Sequence, residues 1–181
     1  MEWFIPGTVL KADRAAAVDQ QFSAMFLGGG IVLSQVTGIT GLEAYTVQNW
    51  VKRGFLSPPE RKHYSLEQLC RIININMLKN VLPMERIVGL LSYINGHLDD
   101  ESDDIIGDSQ LYFMFVRLAA QSRMMNTPQG RDECIAKELA DYREPVPGAK
   151  ERVEKVLTIM LTAWASAQLR LAAEQMLQEL N

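Results

Sequence analysis

Cysteine and histidine are nearly absent: the chain has two of each in 181 residues. Cys70 and Cys134 lie far apart, and neither belongs to a CxxC or Cys/His cluster. That spacing argues against a disulfide framework and against a zinc site, and leaves buried, reduced thiols in a cytoplasmic protein as the expectation. With His63 and His97 as the only imidazoles and no nucleophile motif such as GxSxG, no enzymatic activity and no cofactor are expected. The tract Gly28–Gly30 has no strand before it and no GK[ST] after it, so it reads as a connector and not a phosphate loop. The opening MEWFIPGTVLKADR lacks a basic segment followed by an apolar core, and by this reading no apolar run approaches the roughly twenty residues a bilayer span needs. Neither a secretory signal nor a membrane partner is therefore expected.

Seven prolines and twelve glycines cluster at boundaries and leave long periodic runs between them, which favours a mainly α fold. Hydrophobic residues make up 48% and charged residues 22%, values of an ordinary globular protein with one sizeable core or two small ones. The net charge of −4 argues at first against a polyanionic partner. Its distribution argues otherwise. Thr46–Asn95 holds seven basic residues against three acidic, Gly96–Asp108 holds six acids and no Lys or Arg, and 109–181 carries nine of each sign. A local basic face can bind phosphates whatever the total.

The periodicity divides the chain into an N-terminal helical extension (1–30), a compact unit (31–96), an acidic linker (97–104) and a helical region (105–181). In the first, Val18, Phe22 and Met25 fall at helical spacing before the glycine tract. Ser65 with Gln68 forms a capping-box signature that opens a helix striped with Leu69, Ile72, Ile73 and Met77. Pro83 begins the next helix, which stops at Asn95-Gly96. Further helices are expected over about 105–125, 129–142 and 149–180, with breaks at Asn126–Pro128 and Pro145–Gly148.

Function is carried by 33–65. Taking Gly41 as a turn, Thr37 lies four positions before it, where two helices must approach closely, and Val47 and Trp50 follow on one helical face. A helix-turn-helix has this pattern: its first helix supports a second whose opposite face enters the major groove. The phase puts Glu43, Ala44, Tyr45, Gln48, Asn49 and Lys52 outward and Trp50 in the core. Gln48 and Asn49 are able to pair bidentately with adenine, and Lys52 to reach guanine or phosphate. Glu43 would accept from a cytosine amino group or cap the positive end of its helix. Arg61, Lys62 and His63 sit together in what reads as a small basic wing, where hairpin residues grip phosphate.

TVQNWVKRGFL, followed after a proline-containing loop by KHYSLEQLCRI, resembles the winged helix-turn-helix of MerR-type transcription regulators. Thr46, Val47, Gly54-Phe55 and His63-Tyr64-Ser65 fit that pattern. Gln48 stands where an arginine is usual, Asn49-Trp50 replaces a tyrosine pair, and the wing is short. The residues before Ile31 are an addition to it. A longer span, with NWVKRG, CRI…NMLK and YINGHLDDESDDIIGDSQLY, looks like a bacterial family described only as a domain of unknown function, found chiefly in low-GC Gram-positive bacteria. The resemblance covers most of the chain. It implies a transcriptional regulator binding double-stranded DNA, with Tyr45, Gln48, Asn49 and Lys52 as base readers and Thr46, Arg53, Arg61, Lys62 and His63 as phosphate contacts. The alternative is a protein-interaction module with a degenerate MerR-like domain.

Other features have plainer readings. The Asp99–Asp108 block lacks the glycine and terminal glutamate of an EF-hand, so no metal is expected and it reads as a solvated linker whose last acids favour the next helix N-terminus. Met114, Met124, Met125, Met160 and Trp164 would pack a core or line a pocket for a small-molecule effector. The long last helix is a candidate for pairing in a homodimer, although Gln168 and Glu174 interrupt a heptad.

Overall fold

The computed structural model describes residues 3–96, 98, 104–121 and 127–180, and among these it is mainly helical. The acids Asp99–Asp103, His97 and Met124–Met125 lie outside the described residues.

The chain opens on a hairpin in which β1 (Trp3–Phe4) pairs antiparallel with β2 (Lys11–Ala12). A single 3-10 turn, Ala15–Ala17, then leads into α1 (Val18–Met25). The extension expected to be helical is thus half hairpin. Its alternation is too short to show as a strand pattern, and Pro6-Gly7 turns the chain before a helix can start. Ile5, Val18 and Phe22 from this segment are fully buried. The Tyr112 hydroxyl donates to Pro6 O at 2.8 Å and locks it onto the body.

The body is organised around α4 (Leu66–Leu78), nine of whose thirteen residues are buried. Its N-terminus has the expected capping box: Ser65 Oγ accepts from Gln68 N at 3.2 Å and Gln68 Oε1 accepts from Ser65 N at 2.9 Å. A helix apolar on every side needs neighbours on every side. They are α2 (Leu33–Thr40), α5 (Met84–Asn95), α6 (Asp108–Ala119) and α8 (Ala149–Gln178). α7 (Pro128–Glu138), capped by Thr127 Oγ1 on Gly130 N, packs against α6 and α8. One core therefore runs through the extension, the central unit and the C-terminal helices.

The polar residues of α4 tie it to the elements around it. Asn76 Nδ2 donates to Gly7 O at 2.9 Å and to Thr40 O at 3.0 Å. Glu67 Oε2 accepts from Ser109 N at 2.9 Å, and its other oxygen from the Ser109 hydroxyl. Arg71 donates from Nε to Phe55 O at 3.0 Å and pairs through Nη1 with Asp108 Oδ2 at 3.3 Å. Asp108, counted from sequence with the solvated acids, is buried at the first position of α6 because this arginine meets it there. Burial raises its pKa from the usual carboxylate range, Arg71 opposes that, Glu67's charge adds to it, and Asn95 helps hold the charged form.

The first half of α8 is core: Val153, Val156, Leu157, Met160, Leu161 and Ala163 are buried, and Trp164 meets Phe115 edge-on at 6.0 Å. Beyond it the helix is bare, with Leu169 74% and Met176 66% exposed, and Leu180, just past its end, 82% exposed. By length and composition α8 also passes as a membrane span, with a window of mean hydropathy 1.3 of which 28% is buried. This corrects the expectation that no such run exists: after Lys155, Arg170 is the first charge. The stretch is apolar because its two halves are apolar for different reasons, one buried in the protein and one not.

Breaking the Arg71–Asp108 pair by Asp108→Asn should cost about 3–5 kcal/mol, because it strands a buried charge. Replacing both, Arg71→Met with Asp108→Leu, should recover most of that loss. Because Asp108's pKa is raised in the fold, the pair's penalty grows as pH rises through that value, so the apolar variant should gain on the wild type from acid toward neutral pH. Urea melts over a pH series measure both effects.

Candidate functional site

α2 follows directly on β3 (Ile31–Val32), and its first turn is closed by Gln35 Oε1 accepting from Val32 N at 2.9 Å. It ends at Gly41, whose φ of 69° only glycine adopts without strain and whose N–H donates to Thr37 O at 2.8 Å. Thr40 Oγ1 donates to Val36 O at 2.8 Å and accepts from Leu42 N at 3.3 Å, tying the turn to the helix it leaves. α3 (Ala44–Lys52) then crosses α2. Val47 and Trp50 are buried, as their spacing requires. Burying a side chain such as Val47 stabilises the arrangement by about 1.5–3 kcal/mol. Glu43, Ala44, Tyr45, Gln48, Asn49 and Lys52 are exposed, Tyr45 to 72%. The outward set expected from the sequence is therefore the outward set. Glu43 makes no side-chain cap bond at the start of α3, so its carboxylate is left on that face.

The C-terminus of α3 is a Schellman motif: Phe55 N donates to Trp50 O at 2.9 Å and Gly54 N to Val51 O at 3.0 Å, with Gly54 at φ 73°. Arg53 is exposed but occupied. Its guanidinium lies 4.5 Å over the Phe55 ring and 3.5 Å from Glu85. A solvent-exposed pair of this kind contributes at most about 1 kcal/mol, so a phosphate is able to displace it. Thr46 is half-buried in the first turn of α3 and presents less of itself than its neighbours.

The loop after α3 is clamped at its base by Gln68 Nε2, which donates to Ser57 O, Ser57 Oγ and Pro58 O, each at 3.0 Å. Its tip is a tight turn closed by His63 N on Glu60 O at 2.8 Å, after which β4 (His63–Tyr64) pairs with β3 in the register Ile31↔Tyr64 and Val32↔His63. Tyr64 is buried, as expected, and burial raises the pKa of its hydroxyl. The two residues at the corner are Arg61 (φ 47°) and Lys62 (φ 69°), both left-handed. Such a turn favours Asn-Gly, and a residue with a Cβ there costs roughly 1–2 kcal/mol. Two long cations hold the strained corner and point into solvent. His63, also exposed, has Nδ1 3.0 Å from Arg61 O.

Cys70 is fully buried, and burial pushes its thiol well above the usual range, which removes the thiolate a nucleophile needs. Among the described residues no group of three or more His, Cys, Asp or Glu side chains is arranged to hold a metal ion. What sequence reasoning missed is the buried polar set Arg71, Asn74, Asn95 and Asp108. Arg71 and Asp108 are far apart in sequence, and no local spacing relates them.

Residues 30–115 match the model of a domain of unknown function (DUF1836). The matched segment begins just before β3 and ends within α6, so it includes the exposed α3 face, the basic turn and the Arg71–Asp108 pair. It is shorter than the span over which the sequence suggested the resemblance. A curated relative, "Uncharacterized protein YkrK" of Bacillus subtilis (strain 168), is 31% identical over 86 residues. That alignment takes in 45% of this chain and 37% of the relative, so the chain covers well under half of it. No solved structure matches.

The strain at the turn separates stability from charge. Lys62→Gly should raise stability by about 1 kcal/mol by relieving a left-handed residue. Lys62→Ala should not, since alanine keeps the Cβ. Chemical denaturation of the two variants side by side checks this.

Proposed function

We propose that this protein is a cytoplasmic transcription regulator that binds duplex DNA through a MerR-like winged helix-turn-helix. The observation that carries the reading is the α3 surface: Tyr45, Gln48, Asn49 and Lys52 are exposed along one face of a helix whose other face is fixed by Val47 and Trp50. Beside it in the chain stands a turn that spends backbone strain on displaying Arg61 and Lys62. Strain retained at an exposed basic corner is the kind that function keeps. In this reading α3 enters the major groove, where Gln48 and Asn49 meet adenine edges and Lys52 meets guanine or phosphate. Arg61, Lys62 and His63 of the wing, with Thr46 and Arg53 at the two ends of α3, hold the backbone and set register without reading sequence.

A two-fold operator asks for two copies. The bare half of α8 offers a surface for the second. Leu169 and Met176, seven residues apart, lie within a fraction of a turn of each other around the helix, and Arg170–Glu174 pair off to one side at 2.8 Å. Homodimerisation through this stripe is proposed with the regulator. Leu169→Asp with Met176→Asp should return a dimer to monomer in sedimentation velocity while leaving the thermal midpoint of the core unchanged.

Tyr45 favours a second reading, in which α3 contacts another protein: a tyrosine 72% exposed is a common anchor of protein interfaces. The two readings differ in salt dependence. Titration of a random duplex pool across a salt series should give binding whose affinity falls steeply with salt, and Lys62→Ala should lower the slope by about one phosphate contact for every sequence. Gln48→Ala should instead change preference at one base position by roughly 1–3 kcal/mol. No binding at low salt by intact protein overturns the DNA reading.

A further inference from the structure

The hairpin before α1 belongs neither to the MerR-like pattern nor to the matched segment 30–115, yet its corner is built against the turn between α2 and α3. Val9 N donates to Ile39 O at 2.9 Å, in the last turn of α2. A Cβ placed on Gly41 would come within 2.8 Å of Val9 Cγ1, so a valine methyl rests on the bare backbone of the glycine. Asn76 fixes the same relation through one amide group, which donates to Gly7 O at 2.9 Å and to Thr40 O at 3.0 Å. With Pro6 O held by the Tyr112 hydroxyl, the corner has a set position beside the helix-turn-helix before any partner arrives.

What the corner presents outward is apolar. Thr8 N and Thr8 Oγ1 both donate to Ile5 O, at 3.1 and 3.0 Å, and the hydroxyl accepts from Leu10 N at 3.1 Å. With Val9 N committed to Ile39 O, neither residue has a donor left for a phosphate. Val9 is nonetheless 52% exposed, and Gly41 beside it is exposed too. A scattered surface valine needs no explanation, but this one is pinned to the turn that leads into α3. Gly41 stands three residues before Ala44, and three residues of chain span at most about 11 Å. The N-terminal end of a recognition helix is the end that meets base edges. Apolar side chains there contact the C5-methyl of thymine, the apolar group that base edges display in the major groove. Building on the DNA-binding reading, we propose that Val9 is a specificity-determining residue: its methyls contact the C5-methyl of a thymine beside the bases met by the first turn of α3. The hairpin thereby extends the reading surface beyond the winged helix-turn-helix itself.

The test uses the full chain and a duplex selected from a random pool, with each thymine replaced in turn by deoxyuridine, which pairs identically and lacks only the methyl. Burial of one methyl is worth about fourfold in affinity. The wild type should lose about fourfold at a thymine whose methyl Val9→Ser ignores, and Val9→Ser should bind the unmodified duplex weakly by at least that factor. Lys62→Ala, weaker for every sequence, should keep the methyl sensitivity. Should serine lower the thermal midpoint of the free protein, Val9→Ala carries the same test. Binding in which no thymine methyl matters to the wild type, or in which the Val9 variants keep its sensitivity at every thymine, overturns the role of Val9 and leaves the DNA reading standing. Absence of any binding at low salt overturns both.

Discussion

One helix buried on every side sets the terms for everything else in this molecule. α4 supplies Leu69, Ile72, Ile73 and Ile75 to the centre of the core, all fully buried. Apolar packing of this kind is strong but indifferent to register. Direction comes from the polar residues interleaved with that packing. Gln68 holds the loop beneath the basic turn, Arg71 holds Phe55 and Asp108, Glu67 holds Ser109, and Asn76 holds the N-terminal segment and the end of α2. The surface proposed to meet DNA and the cavity lined by Arg71 and Asp108 are therefore two outlets of the same scaffold, each reached through a hydrogen bond that starts on α4.

That arrangement places precision where a reading surface needs it. α3 touches the core through two large apolar contacts and is closed at its C-terminus by a glycine motif. Its outward side chains carry no structural duty. Arg61 and Lys62 are the opposite case: their side chains are unburdened, but their backbone is strained, and the strain is sustained by the clamp at Ser57–Pro58 and the β3–β4 pairing. Local strain persists only where surrounding structure over-determines it.

Legibility in the sequence followed the range of the interactions. Val47 and Trp50, three apart on a short helix, announced their own phase, and Ser65 with Gln68 announced a helix start; both are decided within one turn of chain. The left-handed corner was not legible, because Arg and Lys are not residues that a turn of that type prefers. Nor was the hairpin at Trp3–Ala12, whose paired strands are too short to alternate. Asp108 was legible only in part: the last acid of the run stands in the first turn of α6, as expected, yet it is buried there by an arginine far upstream. The apolar character of α8 was underestimated because its polar interruptions are uncharged.

The central claim is that the exposed α3 face and the basic turn form one nucleic-acid surface. Amide chemical-shift mapping of the intact protein with a short duplex selected from a random pool tests it most directly. The account predicts shifts concentrated at residues 43–53 and 60–63, with those of α7 and of α8 beyond Trp164 unmoved. Shifts confined to α7 and α8, or none at protein concentrations where the duplex is in excess at low salt, would contradict it.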